Sequence, residues 1–183
     1  MKVLESNRLL LRPYLEDDFA AVHAYASIAE NVRYALAAVN DEARTKRFIA
    51  DAIASSLMDP CCSFLYAITL KENSRLIGGI GLDVKGSEAE VGWILHRDYW
   101  SRGYMTEAAA RVITFAFSEL GLHRIIACCD TMNRPSWHVM EKLGMRREGL
   151  FIEGRHGDLL SGKMYADEFS YAILDFEWES TRT

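Results

Sequence analysis

Three scarcities narrow what this chain can be. Its four cysteines stand as two adjacent pairs, Cys61 with Cys62 and Cys128 with Cys129. Neither pair has the spacing of a zinc or dithiol motif, so they read as reduced structural thiols and no metal is expected. Basic residues are not in excess: 21 Lys and Arg face 26 Asp and Glu, for a net charge of −5. Nucleic-acid binders concentrate cations on one face, so a nucleic-acid partner is not expected, whereas an acidic balance suits a cationic partner such as an amine or a basic peptide terminus. No apolar run approaches the roughly 20 residues of a membrane span. The opening MKVLESNRLLLRP has no apolar secretory core either, so a cytoplasmic protein without a membrane partner is the expectation.

What is present describes a folded protein. Half the residues are apolar and 26% are charged, with both signs mixed, in a chain of 183 residues. That length suits one domain around one core. No internal repeat or linker-like segment divides it.

Arg8 to Arg12 reads as a short strand closed by Pro13, and Glu16-Asp17-Asp18 places acids at the start of a helix running to about Ser27. His23 lies within that helix and reads as a surface or satisfied residue. A second helix is predicted from Asp41 to about Met58, with Phe48, Ala52 and Ile53 on one face, and Asp59-Pro60 stops it. Ser63 to Leu70 and Arg75 to Val84 form a hairpin around Lys71-Glu72-Asn73-Ser74. Gly78, Gly79 and Gly81 in its second strand leave room for a close neighbour, a helix or a substrate.

Glu88 to His96 is the next strand, and a helix with the apolar stripe Met105, Ala109, Val112, Ala116 and Leu120 follows. Arg124 to Asp130 is a strand, Asn133 opens a helix that Gly144 closes, Met145 onward returns to strand, and Glu168 to Leu174 is the last strand. Strands and helices in this order describe a single mixed α/β domain.

The segment that carries chemistry runs from Glu90 to Ala110, a strand feeding a helix through Tyr99-Trp100-Ser101-Arg102-Gly103-Tyr104-Met105. The first N–H groups of a helix are unpaired and lie at the positive end of its dipole, so they can hold a phosphate or pyrophosphate, and Arg102 adds a formal charge. Alone, one glycine in such a turn is weak evidence.

This stretch resembles motif A of the GNAT acetyltransferase superfamily. Gly103 matches the central glycine, Trp100 and Met105 depart from the general pattern, and the TyrTrp-x-x-GlyTyr-x-ThrGlu form is similar to the RimJ/RimL-like ribosomal-protein N-acetyltransferases. Residues 6–13, 75–81, 121–125, 133–145 and 171–178 are similar to segments of the same branch in the same order, the last of them to its final strand.

The resemblance implies a single-domain GNAT fold over residues 1–183, with a mostly antiparallel sheet whose fourth and fifth strands splay apart. It implies acetyl-CoA as cosubstrate, without a metal. The pantetheine arm would lie along Ile94, Leu95 and His96, the pyrophosphate would meet Arg102, Gly103, Tyr104, Met105 and Thr106, and Asn133 with Ser136 would approach the pantetheine and sulfur.

Acyl transfer needs a neutral amine, a polarised carbonyl and a proton for the departing thiolate. A strand N–H near Leu95 could polarise the carbonyl. Glu90 is the expected base, with Glu88 and Glu153 as rivals. Many GNAT enzymes protonate the thiolate with a tyrosine where this chain has Met140; the RimJ/RimL-like branch instead places a serine at the position of Ser136, so the resemblance implies Ser136 for stabilising or protonating the thiolate. Asn133 and Ser136 have a plainer reading as helix-capping residues. His138 and His156 are read as ancillary, and a Cys128 or Cys129 nucleophile is unnecessary for direct attack.

Tyr34, Trp93 and Trp137 are expected to line the acceptor pocket, with the loop over residues 153–163 beside it. The acceptor would be a protein N-terminal α-amine, or alternatively a small-molecule amine such as a polyamine, an amino acid or an aminoglycoside. An acyl-CoA sensor without turnover is a third reading, and a homodimer is an open expectation.

Overall fold

A computed structural model describes residues 1–34, 39–156, 162 and 164–180. Among these, strands β1 (Leu4–Glu5), β2 (Leu9–Pro13), β3 (Ser63–Leu70), β4 (Leu76–Lys85), β5 (Glu88–Leu95), β6 (Arg124–Asp130), β7 (Arg146–His156) and β8 (Tyr165–Leu174) form one sheet. The α-helices are α1 (Phe19–Ala26), α2 (Glu42–Ser56), α3 (Tyr104–Ser118), α4 (Arg134–Lys142) and α5 (Asp175–Ser180). The sheet order is β1-β2-β3-β4-β5-β6-β8-β7. Every neighbouring pair is antiparallel except β5 with β6, which run parallel. No helix among the described residues is long and apolar enough to cross a membrane.

Two apolar faces organise the layers. Of the α3 stripe, Met105, Ala109, Val112 and Ala116 are buried against Ala89, Val91, Leu95 and Ile125 of the sheet, whereas Leu120 lies past the helix end at Ser118 and is only partly buried. On the opposite face α1 and α2 bury Val22, Tyr25, Ile49 and Ala52 against Tyr14 and Ala67. Asp41 starts α2 by accepting a hydrogen bond from the Arg44 N–H at 2.7 Å, so the chain enters the helix with a filled cap.

The glycines of β4 serve the sheet itself. A β-carbon on residue 79 would overlap the Tyr14 hydroxyl, and one on residue 78 would overlap the Ile94 carbonyl oxygen. The close neighbours are therefore a side chain of the same core and the backbone of β5, in place of the helix or substrate expected. The C-terminal segment also differs from expectation, because residues 171–178 do not all extend the last strand. β8 ends at Leu174, where Glu177 accepts from the Leu174 N–H at 2.8 Å and starts α5. Trp178 then turns back onto the core.

Candidate functional site

The sheet opens where β5 and β6 part. Their pairing covers Glu88 with Arg124, Ala89 with Ile125 and Glu90 with Ile126, although β5 continues to Leu95 and β6 to Asp130. Gly78 lets β5 lean on β4, and the His96 N–H donates to the Ile77 carbonyl at 2.8 Å, so β5 follows β4 away from β6.

Strand alternation fixes which peptide groups face the gap. The Ser87 carbonyl accepts from the His123 and Arg124 N–H groups of the β6 side. Odd-numbered peptides of β5 therefore point that way, and beyond Glu90 these are Val91, Trp93 and Leu95. Of the expected edge Ile94, Leu95 and His96, Leu95 turns its backbone to the gap, and Trp93 joins it. The Leu95 carbonyl already accepts from Trp100 Nε1 at 2.8 Å and from Asn31 Nδ2 at 3.4 Å.

At the mouth of the gap stands the N-terminus of α3. Gly103 is its cap residue at φ 78°, a left-handed conformation that a side chain would strain. Ser101, Arg102 and Gly103 are exposed, and the N–H groups of the first turn, from Tyr104 through Thr106, have no partner within the helix. Met105 is 6% exposed with its side chain in the core, so it leaves the turn open.

This turn is tied to the start of the chain. Glu107 accepts from the Arg8 N–H at 2.7 Å, Arg8 Nε at 2.6 Å and the Ser6 hydroxyl at 2.8 Å. Arg8 Nη1 donates to the Arg102 carbonyl at 3.0 Å, and its guanidinium lies 4.4 Å above the Tyr104 ring. Burial alone would raise the Glu107 carboxyl, but these donors hold it below its ordinary range.

Across the gap, Asn133 caps α4 by accepting from the Ser136 N–H at 3.3 Å. Ser136 is half-buried in the first turn, near the buried Cys129 thiol of β6. Burial pushes that thiol up to about 11, so it is protonated at neutral pH. Met140 is fully buried in the core.

The α1–α2 face of the fork is acidic. Glu90 sits exposed on the last paired rung, and Asp130 faces Glu168 across the β6–β8 ladder. Burial raises the Glu168 carboxyl; Glu90 and Asp130 push it further up, and Arg155 pulls it down. In the sequence Glu168 is an ordinary strand residue. Its signal was an acid at the head of an apolar strand. Of the rival bases, Glu88 lies 3.6 Å from Arg124 at the closed end of the fork. Glu153 is exposed at a bend with φ 51°, where its N–H donates to Asp167.

The three aromatic residues expected around one pocket are divided between the faces. Trp93 and Trp137 pack against the α3 core cluster, whereas the Tyr34 carbonyl accepts from Arg155 Nη2 at 2.6 Å on the acidic side. His138 is exposed and stacks on Trp137 at 4.3 Å, and His156 is exposed beside Tyr165. Residues 157–161 and 163 of the expected 153–163 loop lie outside the described residues.

A family model described as acetyltransferase (GNAT) domain matches residues 8–146. The chain is 34% identical over 177 residues to an uncharacterized N-acetyltransferase, YnaD, of Bacillus subtilis (strain 168), covering 96% of this chain and 98% of that one. Among solved structures, a GNAT-family acetyltransferase from Bacillus anthracis superposes with a TM-score of 0.83 at 33% identity, over 96% of this chain and 99% of that one. The ribosomal L7/L12 α-N-protein acetyltransferase RimL, solved with coenzyme A, shares the fold with a TM-score of 0.80 at 19% identity, over 95% of this chain and 99% of that one.

Proposed function

Because the chain belongs to the GNAT acetyltransferase family, we propose that this acetyl-CoA-dependent N-acetyltransferase acts on a primary α-amine, that of a protein or peptide N-terminus, by direct attack in a ternary complex. The observation that carries the reading is the fork itself, with open helix amides at its mouth on one side and Glu90, Asp130 and Glu168 on the other.

The residues present fit the cosubstrate. Trp93 and Leu95 offer peptide groups to a peptide-like arm in the way a sheet edge accepts an added strand. The turn from Arg102 through Gly103, Tyr104 and Met105 to Thr106 offers N–H groups to a pyrophosphate. Asn133 keeps the first turn of α4, and with it Ser136, against the gap. Bound acetyl-CoA supplies the acetyl group as an activated thioester.

Glu168 takes the proton from the incoming ammonium, and its raised carboxyl makes it a stronger base than an ordinary carboxylate. Glu90, expected from the sequence as the base, supports that role as the neighbouring negative charge and draws a cationic acceptor to the fork. The Leu95 N–H faces the gap and can polarise the thioester carbonyl, a contribution of about 3 kcal/mol when preorganised. Ser136 donates a hydrogen bond to the departing sulfur and relays to it the second proton, which leaves the nitrogen as the tetrahedral intermediate collapses, so the serine ends protonated.

Thiol release and product mass measured over a panel of amines test the reading. Release with peptides bearing a free α-amine supports it, and release with polyamines alone overturns the acceptor assignment. The acyl-CoA sensor alternative predicts acetyl-CoA binding with no thiol release for any amine.

A further inference from the structure

Arg155 lies near the end of β7, where its side chain is 8% exposed. Nη2 donates to the Tyr34 carbonyl at 2.6 Å. Nη1 stands 3.7 Å from Glu168 Oε1, too far for a hydrogen bond, and Nε is buried with no partner among the described residues. A guanidinium carries five donors in a rigid fork, and a buried donor left unpaired forfeits the hydrogen bond it would make to water. Clamping β7 to the segment after α1 explains Nη2, but it explains neither the long gap to Glu168 nor the orphaned Nε.

We propose that Arg155 selects the acceptor: it binds an oxygen carried on the carbon next to the amine, a peptide carbonyl or a free carboxylate, while Glu168 takes the amine. This rests on the acetyltransferase reading above.

The spacing favours that chemistry. Two ligand atoms that approach the two partners of a pair 3.7 Å apart from the same side can lie about as close together as the pair itself. In an α-amino carbonyl the nitrogen and oxygen are separated by about 3 Å, as standard bond lengths require. A polyamine offers no oxygen, and its second ammonium repels the guanidinium. Arg155 thus works against those polycations that the acidic fork would otherwise attract, and specificity comes from rejection as well as attraction. A hydroxyl beside an amine, as in an amino sugar, reaches the same distance but is a weaker acceptor than a carboxylate.

The test compares alaninamide and alanine with isopropylamine, which keeps the branched amine and lacks the oxygen, and with spermidine. Binding is measured by calorimetry and turnover by thiol release, on the full chain with and without Arg155→Ala and Arg155→Lys. The wild type should prefer alaninamide or alanine to isopropylamine by tenfold or more, and which of the two wins separates a peptide carbonyl from a free carboxylate. Arg155→Ala should collapse that ratio and improve spermidine relative to alaninamide, and Arg155→Lys should restore part of it.

An unchanged ratio in a folded Arg155→Ala protein overturns the assignment, as does an equal loss for every amine or a wild type that favours spermidine. If alaninamide binding depends on Arg155 but no amine yields thiol, acetyl transfer fails as the reading and the Arg155 assignment stands.

Discussion

Glu107 Oε2 and Arg8 Nε, 99 residues apart in the chain, meet at 2.6 Å beneath the turn that opens α3. The same arginine reaches the Arg102 carbonyl, so the first loop of the chain sets the shape of a turn that belongs to its middle. Arg8→Ala should weaken acetyl-CoA binding by about tenfold, or roughly 1.4 kcal/mol. Calorimetry checks this, and acceptor KM measured at saturating cosubstrate should stay within about twofold if Arg8 acts only through the turn.

The depressed carboxyl of Glu107 ties this junction to pH. A carboxylate held below its unfolded value, about 4.3, stabilises the fold fully above that value and loses its contribution as pH falls through the folded one. Glu107→Gln should therefore lower stability by about 1–2 kcal/mol at pH 7, and the deficit should shrink toward pH 3. Urea denaturation across that range measures it.

Glu168→Gln should reduce kcat by about 10²–10⁴, the usual worth of a general base. Its raised carboxyl places the acidic limb of kcat/KM above the ordinary carboxylate range. Because Glu90 raises that group and Arg155 lowers it, Glu90→Gln should move the limb to lower pH and Arg155→Ala to higher pH. Rate profiles from about pH 5 to 9 read both directions, and a limb that ignores both substitutions assigns the base elsewhere.

Ser136→Ala separates a proton donor from a helix residue. Asn133 makes the cap, and it does so with the Ser136 backbone N–H, which the substitution keeps. Thermal stability should accordingly hold, while kcat falls by about 10² with little change in acetyl-CoA affinity.

Gly79→Ala should destabilise the protein by about 1–3 kcal/mol, because the added carbon meets the Tyr14 hydroxyl in a packed core. A denaturant midpoint measures the loss.

Much of the scaffold was legible because it depends on local pattern. Ser63–Leu70 and Arg124–Asp130 occur with the bounds their apolar runs gave, and α3 buries four of the five stripe residues, Leu120 falling past its end. The glycine-capped turn ahead of α3 was legible for the same reason, since Gly103 and the helix after it are consecutive. Glu168 was hidden because its carboxyl is shifted by groups brought in from β5, β6 and β7, and no spacing along one strand reports them. Tyr34 and Trp93 could not be sorted by residue type, since the face on which each lies depends on strand register and on where the segment after α1 lands. The C-terminal helix escaped because Phe176 and Trp178 read as strand residues, whereas Glu177 folding back on the Leu174 N–H decides the local geometry.

The three-rung junction between β5 and β6 makes the sheet two panels, β1 to β5 and β6 to β8 with β7 outermost, joined by a narrow seam. An extended ligand arm in the opening would supply the rungs that the chain omits, so binding the cosubstrate also completes the architecture. The resistance of the two panels to pulling apart then becomes a quantity set by ligand concentration, as mass action requires of any species that binds the native state alone.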